Sequence, residues 1–94
     1  MQETPAEKVM WLLRTTQSGI RPRPETVRVG GQTWHIRATG QAAKWTIVAQ
    51  GETGATKSTK IDWSRERRFS DEVAENIVKA LLRSQAAAPS KARA

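Results

Sequence analysis

From Glu25 to Trp63 the apolar residues of this chain recur at every second position, in blocks broken by glycine. Val27 and Val29, then Trp34, Ile36 and Ala38, then Trp45, Ile47 and Ala49 alternate with polar residues, mostly Thr, Arg, His and Lys. A period of two is the mark of a strand with one face buried and the other in water, and it argues against helix over this stretch. The Gly30-Gly31 pair supplies the positive φ angles of a two-residue hairpin turn, which pairs Val29 with Gln32 and Val27 with Trp34. That register sets every apolar side chain of the two strands on one face. A third strand, Lys44 to Gln50, is expected after a loop containing Gly40.

The next connection is settled by parity, because a slip of one residue exchanges the faces of a strand. A four-residue loop, Gly51 to Gly54, would turn Thr56, Ser58 and Lys60 toward the core. A three-residue loop, Glu52-Thr53-Gly54, turns Ala55, Ile61 and Trp63 there instead, and is the expected one. Gly54 then takes the left-handed position of a type I turn with a G1 bulge. The resulting fourth strand is rich in Thr, Ser and Lys, as suits the edge of a sheet.

Two helices flank the strands. Thr4-Pro5-Ala6-Glu7 predicts a start with Thr4 as N-cap, Pro5 in the first turn and Glu7 closing a capping box. The helix runs to about Ser18, with Gly19 as a left-handed cap and Ile20 folding back on the last turn. Val9, Leu12, Leu13 and Thr16 share one stripe, and Trp11 falls nearly opposite, beside Arg14. Arg21-Pro22-Arg23-Pro24 is held extended by its prolines. After the basic connection Ser64 to Arg68, Ser70 is expected to cap a second helix, Phe69 to staple its start, and Val73, Ala74, Ile77, Ala80 and Leu81 to form its buried stripe. The architecture that buries both helical stripes and the strand stripe together is α+β: a four-stranded antiparallel meander with two helices packed on one face, in the order α-β-β-β-β-α. Residues 4–84 form a single domain, and residues 85–94, with Ala86-Ala87-Ala88-Pro89, are expected to be a disordered tail.

The core of such a domain is small. Ile, Val, Leu and Phe supply 16 of 94 residues, a share typical of chains that do not fold when the net charge is also high. The four Trp offset this, since each buries on the order of 150–250 Å². No Cys is present, so neither disulfides nor Cys-bound zinc hold the fold. No cofactor is expected. The length falls short of the nucleotide-binding folds that need two or more βαβ units. Glu3, Glu7 and Lys8 interrupt any apolar leader, and no later run approaches a membrane span, so the expectation is a monomer in the cytoplasm with no membrane insertion.

The search for chemistry yields little. Gly51-Glu52-Thr53-Gly54-Ala55-Thr56-Lys57-Ser58 looks like a phosphate-binding P-loop, yet it has Thr56 where glycine is needed and a strand where a helix must follow, so a hairpin turn is expected. His35, the one histidine, faces Thr26 across the predicted hairpin and has no carboxylate to orient it as a general base. Catalytic residues are therefore not assigned, and no enzymatic activity is expected.

Charge is the more informative property. There are 16 Lys and Arg against 9 Asp and Glu, a net +7. Such a balance suits nucleic acid or an acidic protein. By the expected registers the outer face of the sheet displays Thr26, Arg28, Thr33, His35, Arg37, Thr39, Lys44, Thr46, Val48, Gln50, Thr56, Ser58, Lys60 and Asp62. Cations interspersed with hydroxyls are what phosphate oxygens require. The nucleic-acid candidates are Arg28, Arg37, Lys44 and Lys60, joined by Arg65, Arg67 and Arg68 of the following loop. The plain alternative is a solvated face, with Thr chosen for strand propensity and Lys and Arg guarding against aggregation. Because Trp34, Trp45 and Trp63 are assigned inward, no ring remains on the sheet to stack an unpaired base, which favours a DNA or RNA duplex over single strands. Trp11 with Arg14 is the candidate surface for a protein partner, and the two Pro of Arg21 to Pro24 offer the indole an alternative shelter.

The order of helix, strands and helix looks like a double-stranded RNA-binding domain, a family that places a basic run where this chain has Ser70, Asp71 and Glu72. The sheet followed by a helix resembles AP2-type DNA readers in outline, without a shared motif. The segments TWHIRATG, KWTIVAQG and IDWSRERRFSDEVAENIV, within residues 27 to 82, together resemble small uncharacterised basic proteins of Burkholderia-type bacteria. That resemblance implies no activity.

Overall fold

In the computed structural model the described residues are 3–93, with side chains described as far as Ser84. The elements are α1 (Pro5–Gln17), β1 (Glu25–Val29), β2 (Gln32–Gln41), β3 (Lys44–Gly51), β4 (Thr56–Asp62) and α2 (Ser70–Arg93). The strands form one antiparallel sheet in the order β1-β2-β3-β4. The α+β meander with its helices on one face is thus the fold of the chain. The boundary after Ser84 and the tail expected beyond it fall on side chains outside the described residues.

Local chemistry explains each start and stop. At the head of α1 the Thr4 hydroxyl accepts from the Glu7 N–H at 3.1 Å and the Glu7 carboxylate accepts from the Thr4 N–H at 3.2 Å, the reciprocal bonds of a capping box. The helix ends through Gly19 at φ 79, and the Ile20 N–H donates back to the Thr15 carbonyl at 3.1 Å. Gly30 and Gly31, at φ 62 and 83, turn β1 into β2 with Val29 opposite Gln32 and Val27 opposite Trp34. The three-residue loop Glu52-Thr53-Gly54 joins β3 to β4, with Gly54 at φ 95, so that Ile61 lies opposite Trp45 and shares its inward face. The P-loop-like string is accordingly a hairpin, and Lys57 and Ser58 stand in a strand.

Two details depart from the sequence reading. Gly40 lies inside β2, opposite Trp45, and the turn to β3 is Ala42-Ala43, with Ala42 carrying a left-handed φ of 56. A Cβ on Gly40 would sit 2.2 Å from the Lys44 carbonyl oxygen, so this glycine serves close strand approach and not a loop. At α2 the opening bond runs from the Val73 N–H to the Phe69 carbonyl, which places Phe69, not Ser70, at the cap. The Ser70 hydroxyl instead accepts from Arg14 Nε at 3.2 Å, and Phe69, 78% exposed, staples nothing.

The core lies between the sheet and the two helices. Val9, Leu12 and Leu13 of α1 and Val73, Ala74, Ile77 and Leu81 of α2 are buried against Val27, Val29, Trp34, Ile36, Ala38, Trp45, Ile47, Ala49 and Ile61. Trp45 donates its indole N–H to the Ala42 carbonyl at 2.9 Å. Trp63, half-buried, donates to the Thr16 hydroxyl at 2.9 Å, and Thr16 in turn donates to the Leu13 carbonyl, so the chain leaving β4 is pinned to α1. Gln32, inward and buried, accepts from the Thr53 N–H and hydroxyl and ties the β3–β4 turn to the start of β2.

Candidate nucleic-acid interface

The registers place the outward side chains in rungs. Thr26, His35, Gln50 and Thr56 form one; Arg37, Val48 and Ser58 the next; Thr39, Thr46 and Lys60 a third; Gln41, Lys44 and Asp62 a fourth at one end. Arg28 and Thr33 pair at the opposite end. All fourteen residues expected on the outer face are there, because the Gly30-Gly31 turn and the three-residue loop both hold parity.

The cations differ in how they are held. Arg28 donates to the Thr33 hydroxyl and to the Gly31 carbonyl, each at 2.8 Å, which fixes its guanidinium over the sheet. Arg37 and Lys60 are exposed. Lys44 and Arg65 both lie near Asp62, whose carboxyl is held below the usual range by the hydrogen bond from the Ser64 hydroxyl, with the two cations adding to the shift. Arg68 makes a two-point pair with Glu66, at 2.9 and 3.0 Å, and its guanidinium and N–H lower the Glu66 carboxyl to about 2. The charge of Arg68 is therefore matched within the loop, while Arg67 is exposed. Of the three loop arginines, Arg65 is the one joined to the sheet corner.

Two acids border this face. Among the described residues Asp62 is the one carboxylate on the outward strand positions, and Glu52, in the turn after β3, accepts from the Thr33 N–H at 3.2 Å at the Arg28 end; Glu25 has inward parity opposite Ile36, and Asp71, Glu72 and Glu75 ride on α2. His35 meets the Thr26 hydroxyl through Nδ1 at 3.2 Å, with no carboxylate to orient it. No group of three or more His, Cys, Asp or Glu able to hold a metal occurs among the described residues, and no described helix is long and apolar enough to cross a membrane.

Sequence reasoning did not single out the middle of the sheet. Pro24, His35, Arg37, Val48 and Gln50 border a small depression there. Its signal was present in the register, which sets His35 opposite Gln50 and Arg37 opposite Val48. On the other side of the molecule Trp11 is 51% exposed, with the Arg14 guanidinium 4.9 Å from its ring centroid. Trp11 also borders a groove with Arg21, Pro22 and Arg23, so the indole lies beside the proline segment without being covered by it. The chain matches no family model, no curated protein and no solved structure in the comparisons made.

Proposed function

We propose that this protein is a non-enzymatic module that binds duplex nucleic acid on the outer face of its sheet. The observation that carries the reading is the excess of positive charge: Arg28, Arg37, Lys44 and Lys60 share a face whose outward strand positions hold one acid among the described residues, Asp62, with Glu52 at its rim. Phosphate contacts displace condensed counterions, so binding must weaken with salt in proportion to the number of phosphates neutralised. Arg28 and Lys60 on the outer strands count one each, the Lys44–Arg65 corner counts one after Asp62 is subtracted, and Arg37, on an interior strand, is left out of the count. Three neutralised phosphates give a log–log slope of about −2.7, and affinity falls roughly 40-fold between about 50 and 200 mM salt. Fluorescence anisotropy with a labelled duplex measures this directly, and Lys60→Ala is expected to flatten the slope by about 0.9. A slope near zero, or full affinity in Arg28→Ala and Lys60→Ala, refutes the proposal.

A second reading rests on Trp11. An indole half in water and stacked by Arg14 is a ready anchor for a protein partner, whose binding would depend on the ring far more than on salt.

A further inference from the structure

We infer that the sheet reads base edges in the major groove of B-form DNA, with β2 and β3 as the reading strands and β1 and β4 astride the phosphates. The inference rests on the duplex reading above and adds to it a groove, a kind of duplex and a division of labour among the strands.

The first observation is how side-chain types are distributed across the outer face. At the middle of the sheet the interior strands carry His35 and Arg37 on β2 and Val48 and Gln50 on β3, in two adjacent rungs. Arg and Gln are the side chains that make two-point hydrogen bonds to guanine and adenine edges, and a small apolar group meets the thymine methyl. The outer strands carry a different set beside those rungs: Thr26 and Arg28 on β1, Thr56, Ser58 and Lys60 on β4. These are hydroxyls and cations, the partners of phosphate oxygens.

The second observation is size. The four strands are neighbours in chain order, so three interstrand spacings of about 4.8 Å set β1 and β4 roughly 14 Å apart. The major groove of B-DNA is about 12 Å wide. Side chains of the interior strands thus face the groove, while Arg28, level with Thr33, and Lys60, level with Thr39, meet the two backbones at points about six residues, or roughly 20 Å, apart along the strands. The A-form major groove of RNA is deep and narrow and excludes a surface of this width.

The third observation is what holds the readers. Val48 and Gln50 lie beside Arg37 and His35 around one depression, and His35 is tied to Thr26. Arg37 pairs with Val48 of β3, while the pairing of β2 with β1 ends one residue earlier, at Ile36.

Selection from a DNA duplex pool with a randomised core, using the full chain, tests the inference, with an RNA duplex of matched length as a second probe. The intact protein is expected to enrich a short motif and to bind DNA at least tenfold tighter than the RNA duplex. Arg37→Ala is expected to reduce discrimination roughly tenfold at one motif position, and Gln50→Ala at another. Lys60→Ala is expected to weaken all sequences alike. Both Arg37 and Gln50 are exposed, so these variants keep the fold, and a circular dichroism spectrum of each verifies it. Tight, salt-dependent binding without any enriched motif, or equal affinity for the RNA duplex, overturns base reading and leaves the duplex proposal standing. Absence of binding to either duplex removes both.

Discussion

Gly40→Ala tests the geometry that presents the outer face, and its cost can be worked from two separate terms. The new Cβ would lie 2.2 Å from the Lys44 carbonyl oxygen and 2.8 Å from the Trp45 Cα, both backbone atoms that no rotamer change can move. Overpacking of this kind costs about 1–3 kcal/mol. The backbone at φ 149 is also one that L residues rarely adopt, which adds about 1–3 kcal/mol of strain. Together they come to about 4 kcal/mol, against a total of about 5–14 kcal/mol for a domain of this length. At about 4–8 °C per kcal/mol the melting temperature falls by roughly 16–32 °C. Gly54→Ala is the control, since its φ is 95 and nothing lies within 4 Å of the added methyl, leaving strain alone, about 1–2 kcal/mol. Urea unfolding followed by tryptophan fluorescence reads both variants. If Gly40→Ala loses no more stability than Gly54→Ala, the close approach of β2 to β3 at Trp45 is wrong, and with it the placement of the reading strands.

Two further outcomes follow from the side chains around the sheet. Glu66 has an ordinary value of 4.5 and is lowered to about 2 by Arg68, so its pair stabilises the fold above about pH 4.5 and that contribution disappears as the pH falls through 2. The pair is at the surface and contributes under about 1 kcal/mol; melts of the native chain and Glu66→Gln should differ at pH 7 and draw together as the pH falls toward 2, and a gap at pH 2 as wide as at pH 7 contradicts the assignment. Trp11→Ala removes the stack with Arg14 at a cost of up to about 1 kcal/mol and leaves duplex affinity unchanged, whereas a tenfold loss of duplex affinity would move the nucleic-acid surface to the helical side.

Strand parity was legible in the sequence because each connection left one register that kept the indoles inside. The Gly-Gly turn and the choice of Glu52-Thr53-Gly54 over a four-residue loop both follow from asking where Trp34, Ile61 and Trp63 must point. The β2–β3 turn was not legible, for a physical reason: Gly40 looks like a loop glycine, but its missing Cβ makes room for the Lys44 backbone, and the turn falls on Ala42 at an unfavourable φ. The start of α2 escaped for a similar reason. Ser70 is a good cap by type, yet its hydroxyl is taken by Arg14, 56 positions away in the chain, and no local pattern encodes that bond. At the candidate interface the residues on the face were legible and their entanglements were not. Arg68 reads as a free cation until Glu66 is seen to hold it at two points.

Whether the positive face is used or only keeps the sheet in solution turns on where the cations sit. Edge protection needs charge on edge strands, and this chain has it: Lys57 and Lys60 lie on β4, which pairs on one side only. Arg37 does not fit that account. It stands on β2 where the pairing with β1 has just ended at Ile36, so an open stretch of β2 begins there, but Thr39 and Gln41 lie on that same stretch without a cation. Thr would serve solubility there equally well, as it does at Thr39 two residues along, and would cost less side-chain entropy on immobilisation. A long cation in the middle of the sheet, near Gln50 and opposite an apolar Val48, is accounted for by a ligand that meets that middle. Arg37→Thr therefore separates the two accounts more sharply than any edge lysine: the solvated-face account predicts an unchanged protein, and the interface account predicts an unchanged fold with impaired binding.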